Sequence, residues 1–498
     1  MRLLFSILYR GSGHYGKTLS FVLSFLIAIS IQLHAQHGKA NVLFIIADDL
    51  NCNLGAYDHY LVKTPNIDKL AKTGMLFTNA FCNYPLCGPS RGSIMTGLYP
   101  DQTGHYKLRD YIRQHVPDVV TMSQNFMNQG YVAARVGKIY HYDNPRDIGT
   151  PGHDDSASWN ERYYPRGIDK DMENKIFTLK PKAFGATLSW LAADGRDEDH
   201  TDGKVATKAI TLLAKYKSEK TPFFLGVGFY KPHTPYVAPA KYFDLYDAAS
   251  IKVPHIDSGY FATLPKPAVA GLQYYKDQLN LPDSLARHAI QAYYATISFL
   301  DAQVGRVLDA LDSLGLRDNT IVVFTSDHGY HMGEHGYYQK NTLFEDSDRI
   351  PMIVSYPGMK HKGKISSSIV EIIDLYPTLS DLAGLKIPGY VVGRSFKKVL
   401  NDPGQKTRNS ALSQISGGYT LRTPDYRYTR WGMGGPDMIE LYDRGSDPGE
   451  MNNLAKDRQH EDLIKKLDAQ LTARIKESAA APKGLRVFKE KNDNKNIH

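Results

Sequence analysis

Asn41-Val-Leu-Phe-Ile-Ile-Ala-Asp-Asp49 is the stretch on which the reading of the fold turns. The run from Val42 to Ala47 is unbroken apolar. That suits a strand buried on both faces, as in parallel sheets covered by helices. It closes on two adjacent carboxylates. Asp48 and Asp49 repel each other and lose hydration there unless a cation compensates. In open α/β sheets, ligands bind beyond the carboxyl ends of the strands, which is where this pair sits. A solvated turn or a helix cap is the plain alternative.

Working outward, Thr64-Pro65 caps a helix over 66–73 that Gly74 closes. A strand follows over 75–81. Next come a helix over 120–129, a strand over 131–136, a helix from Asp202 to Lys217 capped by Asp202, and a strand over 222–229. A long helical region over 283–314, strands over 321–325 and 350–355, and a helix over 370–383 complete the alternation. Strands alternating with helices over some 350 residues indicate a doubly wound, mostly parallel α/β sheet. Residues 143–200 and 250–282 lack periodicity and read as surface excursions over the active face. Past about residue 400 the texture changes. Antiparallel strands over 419–423 and 426–431 flank Pro424-Asp425, 440–443 adds another, and a helix over 461–477 closes a small α+β subdomain. The expected boundaries are 36–405 for the α/β domain and 406–485 for the subdomain. The tail from Ser478, and above all its charged end over 486–498, reads as frayed.

Polar residues recur at the strand ends. Lys138 and His141 follow 131–136, His233 follows 222–229, and Asp327-His328 follow 321–325, with Lys340 shortly after. One parallel sheet brings these ends to one edge. Independent solvated turns would not place such groups at nearly every strand end. A Lys and a His there suit an anion clamp and a proton donor.

Tyr84-Pro-Leu-Cys-Gly-Pro-Ser-Arg-Gly-Ser-Ile-Met-Thr-Gly97 carries the nucleophile candidate. Pro89 suits the first helical position and Gly97 the end of the helix. Cys87 then faces the positive end of the helix dipole with Arg91 one turn inside, a place that suits an anion.

Cys87-Gly-Pro-Ser-Arg91 resembles the C-x-P-S-R signature of the type I, formylglycine-dependent sulfatases. The order Asp48-Asp49, C-x-P-S-R, Gly137-Lys138-x-x-His141, Lys231-Pro-His233, Ser326-Asp-His-Gly329, Gly333-Glu-His-Gly336 and Lys340 is similar to the iduronate-2-sulfatase branch of that family. The resemblance covers about residues 40–455. It implies an alkaline-phosphatase-like fold with a C-terminal subdomain. It also implies oxidation of Cys87 to formylglycine by a separate maturation enzyme. A Ca²⁺ ion would be held by Asp48, Asp49, Asp327, His328 and modified residue 87, although calcium prefers oxygen to the His328 nitrogen. Arg91 would orient residue 87. Lys138, His233 and Lys340 would bind sulfate oxygens, with His233 also protonating the leaving alcohol, and His141 would assist proton transfer. The substrate implied is a sulfated carbohydrate, from a glycosaminoglycan or an algal polysaccharide. Tyr330 and His331 depart from the pattern expected of the animal enzyme. Two rivals remain: a phosphatase or phosphodiesterase of the same superfold, and a non-catalytic sulfated-glycan binding protein.

Composition sets the remaining bounds. Apolar content of 42% and charge of 22% exclude a disordered chain. Residues 1–35 hold Arg2, Arg10 and Lys17, no acidic residue, and an apolar run over 19–33 ending before His34-Ala35. This reads as a secretory signal cut after Ala35, giving a periplasmic or secreted protein with no stable membrane span. Without those three bases the formal charge of +8 falls to +5, too mild to argue for nucleic acid. Three cysteines do not make a disulfide scaffold, and Cys52 and Cys82 either pair or stay free.

Overall fold

The computed structural model describes residues 39–488. The expected signal peptide, its cut after Ala35 and the last ten residues of the tail lie outside them.

The apolar run is the central strand of the molecule. β1 (Asn41–Asp48) is buried along its whole length. It pairs in parallel with β5 (Phe223–Pro232) on one side and β6 (Thr320–Ser326) on the other. β2 (Met75–Phe77), β3 (Val132–Gly137), β4 (Glu161–Tyr163), β7 (Met352–Ser355) and β8 (Lys364–Ser366) complete an eight-stranded sheet. Its order is β8-β2-β7-β6-β1-β5-β3-β4, and only β7 runs against the others. Helices Thr201–Glu219 and Asp283–Ser313 pack together over one face, where Leu43, Ile45 and Ala47 meet Ile290, Ile297 and Val304 in one apolar core. Helices Cys87–Thr96, Met122–Asn128 and Leu375–Leu382 pack with one another beside β3. Residues pointing alternately up and down a strand explain why β1 must be apolar throughout.

Several expected elements are redrawn by tertiary contacts. The strand expected over 75–81 breaks in two. The Thr78 carbonyl accepts from the Arg349 guanidinium at 2.8 Å, and Ala80–Phe81 pair instead with Val370–Glu371. The helix expected over 370–383 begins as that short strand and turns α-helical only at Leu375. Pro377 restricts the start, because its ring clashes with the carbonyl four residues upstream in a helix and is tolerated only in the first turn. Asp202 does not cap its own helix. It sits in the first turn, and its carboxylate accepts from the backbone N–H groups of Tyr230 and Lys231 at 3.0 Å each. The excursion over 143–200 is more than a surface loop: it supplies edge strand β4 and buries Trp159 against Phe224. The tail is docked through Phe488, whose N–H donates to the His115 carbonyl at 2.8 Å, and Arg486 pairs with Asp118.

Near the C-terminus, Ala411–Ile415, Gly418–Arg422, Tyr426–Trp431 and Ile439–Asp443 form an antiparallel meander, with the helix Glu461–Ala479 against it. Its first strand was not anticipated. Two buried ionic clusters tie this meander to the larger sheet. Arg427 donates to Glu345, Asp348 and Glu450 at 2.6–2.9 Å. Arg408 and Arg474 embrace Glu371, with Asp374 also on Arg408. Among the described residues, no helix is long and apolar enough to cross a membrane.

These clusters set two expectations. Arg427→Met strands buried carboxylates, so the midpoint of urea unfolding should fall by the equivalent of about 3–5 kcal/mol. An unchanged midpoint would refute the cluster's role. Burial favours the neutral form of Glu371, but Arg408 and Arg474 outweigh it and hold its carboxyl at about 2. Its folded pKa lies below its unfolded value, so its contribution is complete above roughly pH 4.5 and lost as pH falls toward 2. Glu371→Gln should flatten that part of a stability-against-pH profile.

Candidate active site

The carboxyl ends of β1, β3, β5 and β6 meet at one edge, and each delivers a charged or titratable side chain. Gly137 turns the chain out of β3 with φ +74°, and a Cβ there would come within 2.2 Å of the Gly228 carbonyl oxygen. Only glycine permits that conformation and approach without strain, so it seats Lys138 beside β5. The Asp202 carboxylate clamps the Tyr230 and Lys231 amides just ahead of His233.

The helix bearing Cys87 begins earlier than expected. It runs Cys87–Thr96 with Leu86 as N-cap, so Cys87 is its first residue and Pro89 its third. Proline is tolerated there because the first turn has no upstream carbonyl to meet. Gly97 ends the helix at φ +67° as expected. Cys87 is buried, with its Sγ 3.2 Å from His328 Nε2 and 3.8 Å from Asp49 Oδ1.

Arg91 forms the hub one turn inside. Its Nε donates to Asp327 Oδ2 at 2.9 Å and its Nη2 to Asp48 Oδ1 at 3.0 Å. Its Nη1 donates to the carbonyls of Lys138 and Ile139 at 2.8 and 2.9 Å. Lys138 Nζ pairs with Asp48 Oδ2, and Lys340 Nζ spans both Asp49 oxygens at 2.5 and 2.6 Å. Both lysines therefore rest on carboxylates. Asp49 itself has φ +63°, a conformation uncommon for a residue with a side chain. Its N–H donates to Asp327 Oδ1 at 3.2 Å.

Electrostatics separate the groups. Burial pushes the Asp327 carboxyl up, yet Arg91 and the other surrounding cations hold it below the usual carboxylate range. Asp48 is likewise held down against burial, chiefly by Lys138. Asp49 is pushed up, because burial there exceeds the help from Lys340. Burial also drives the Cys87 thiol well up, so it is a poor thiolate where it stands. His233 is held neutral by burial and by Lys340; its Nδ1 faces the Thr234 carbonyl, and Nε2 lies 3.7 Å from Asp49 Oδ2. His141 falls to about 4, mainly through burial, although Asp143 opposes the shift at 3.2 Å from Nε2.

All of the residues singled out from the sequence are here: Asp48, Asp49, Cys87, Arg91, Lys138, His141, His233, Asp327, His328 and Lys340. Asp143 was not anticipated, although it stands two residues past His141. Ser90 was not either; its hydroxyl donates to the Asp327 carbonyl at 2.5 Å. Cys52 and Cys82 are unpaired, so no disulfide links them. Oxygens of Asp48, Asp49 and Asp327 lie within 4.8 Å of one another, and Cys87, Asp327 and His328 make an overlapping set. Three converging carboxylates fit a hard divalent cation.

Residues 40–385 match the Sulfatase family model, and 333–477 match a model described as N-sulphoglucosamine sulphohydrolase, C-terminal. The chain is 32% identical to iduronate 2-sulfatase of Mus musculus, over 91% of this chain and 98% of that protein. It is 30% identical to an ulvan-active sulfatase of Formosa agariphila, over 90% and 83%. The phosphonate monoester hydrolase of Agrobacterium radiobacter superposes with a TM-score of 0.75 at 21% identity, covering 88% of this chain and 96% of that one. That likeness speaks to fold alone, and the fold is the alkaline-phosphatase-like α/β architecture. The matched span carries β1, the Cys87 helix and every strand end that meets at the site, so the chain is a member of the sulfatase family and a sulfuric ester hydrolase.

Proposed function

We propose that the protein is an exported sulfatase that removes an O-sulfate from a sulfated sugar, either an iduronate-2-sulfate-like unit or a related polysaccharide. Cys87, matured to formylglycine, supplies the nucleophile, and Asp48, Asp49 and Asp327 hold Ca²⁺ with His328 and residue 87 alongside. The observation that carries this reading is the position of Cys87, at a helix N-terminus against Asp49 and His328, with its thiol protonated by burial. A buried thiol is a weak nucleophile, whereas the position itself suits an oxygen nucleophile beside a cation. The sugar specificity rests on the names of the relatives.

Formylglycine, hydrated, would offer an attacking hydroxyl, and Ca²⁺ would polarise the sulfate oxygens. The chain's own groups do the rest. Arg91 keeps Asp48 and Asp327 ionised and correctly spaced for the cation. With Asp48 and Asp49 engaged by the cation, the Lys138 and Lys340 ammonium groups would turn to the sulfate oxygens. The Thr234 carbonyl fixes the tautomer of His233, so a proton taken up sits on Nε2. A bound anion favours that protonated form, and Nε2 passes the proton to the leaving alcohol. His141, oriented by Asp143, has an Nδ1 without a hydrogen-bond partner to accept the proton released as residue 87 is regenerated.

Peptide mass spectrometry across 82–91, on protein made with the maturation enzyme, should show Cys87 as the aldehyde. Cys87→Ala should lower aryl-sulfate kcat/KM by at least about 10³-fold without moving the melting temperature. An unmodified thiol in active enzyme, or faster turnover of an aryl phosphate than of the sulfate, would overturn the reading. Chelation should abolish turnover and Ca²⁺ restore it; activity that survives removal of bound metal would exclude the cation.

A further inference from the structure

The loop between Asp327 and Lys340 carries a second group of ligating side chains that the chemistry above does not use. His331 and His335 are buried at 0% and 1% exposure. His331 Nδ1 and His335 Nε2 have no hydrogen-bond partner, and both point at the Asp346 carboxylate, 3.9 and 4.0 Å from Oδ2. The outer nitrogen of each ring is engaged: His331 Nε2 lies 2.8 Å from the Thr342 hydroxyl, and His335 Nδ1 is hydrogen-bonded to the Tyr260 hydroxyl.

Two buried imidazole nitrogens left without partners lose hydration and gain nothing, so a packing role alone leaves them unexplained. The outer contacts supply what a metal-binding histidine needs: an oxygen that can accept its other N–H, fix the tautomer and hold the ring plane. Phe344 stacks on His335 with centroids 3.9 Å apart, further locking the ring. His335 also has φ +57°. Asp346 is about one-third exposed, at 36% of its side chain, and borders a surface cavity next to Asn51, Asp58 and His59. A cation has a way in from that side. Burial, then the Glu334, Glu450 and Glu345 carboxylates, push the Asp346 carboxyl up, against the pull of Arg444.

We propose that His331, His335 and Asp346 bind a borderline divalent transition ion of the Zn²⁺ class, separate from the carboxylate site at the sheet edge. Nitrogen and oxygen ligands at about 2.0–2.1 Å from the ion can stand at most about 4.2 Å apart. The two histidine–Asp346 separations fall inside that limit, and the three ligand atoms lie within 4.8 Å of one another. Two histidines and one carboxylate leave a fourth position for water from the cavity. The hard ion suited to three carboxylates is a poor competitor for two imidazoles, so the two sites sort by ligand type. The site lies on the loop whose far end is Lys340. His331 N–H donates to the Gln339 carbonyl at 2.9 Å, and the Tyr337 hydroxyl donates to the Lys340 carbonyl at 3.0 Å. An ion here would brace the loop that carries Lys340 to Asp49.

The test is Co²⁺ and Zn²⁺ binding to the full-length protein in excess Ca²⁺. One further equivalent should bind, with visible ligand-field absorption from Co²⁺, and Zn²⁺ should raise the melting temperature. Asp346→Asn and His335→Gln should each weaken that binding at least about tenfold and abolish the thermal shift. Asp48→Asn should leave the Co²⁺ spectrum intact. Asp346→Asn carries the test if His335→Gln fails to fold, since Asp346 is partly exposed. Absence of an ion beyond Ca²⁺, equal affinity in the folded Asp346→Asn protein, or a Co²⁺ spectrum lost in Asp48→Asn would overturn the proposal.

Discussion

Everything at the sheet edge depends on the buried guanidinium of Arg91. Asp48, Asp49 and Asp327 are brought together by parallel neighbours β1 and β6, and like charges at such range are strongly unfavourable in a poorly solvated interior. Arg91 answers two of them at once, while its remaining N–H groups are taken by backbone carbonyls. A lysine in its place would offer a point charge without the planar fork that reaches both carboxylates.

The same logic orders the remaining charges. Lys138 neutralises Asp48 and Lys340 neutralises Asp49, so three carboxylates face three cations. The divalent cation proposed for the site would shift this balance to net positive, the condition for attracting an anionic ester. In the proposed mechanism the lysines, counter-ions here, become the sulfate's ligands. Asp49, alone of the trio at positive φ and with a carboxyl pushed upward, is the member of the trio most in need of a cation.

The C-terminal meander contributes indirectly. Arg427 ties it to Glu345 and Asp348, and Glu345 is the immediate neighbour of Asp346. Ionic clusters of this kind stabilise little against apolar replacements, but they leave few alternative ways to dock, since any misfit strands a buried charge. They hold the segment after Lys340 in register with the sheet edge.

Much of this was legible in the amino-acid order. Val42–Ala47 reads as a doubly buried strand, and polar groups just past apolar runs in an α/β chain have one edge to occupy. Pro89 and Gly97 marked a helix start and stop through chemistry local to each end, and the start lay only two residues earlier, at Cys87. What the sequence could not state was which polar groups pair. That Lys340 takes Asp49, that Asp202 serves the His233 strand rather than its own helix, and that Thr78 gives its carbonyl to Arg349 are contacts between residues 28 to 291 positions apart. Such pairings follow from how strands and helices stack in space, and no local propensity encodes them. The convergence of His331 and His335 on Asp346 was hidden for the same reason: in the sequence they stood only as residues past a strand end, and only the packed loop turned two ring nitrogens toward one carboxylate.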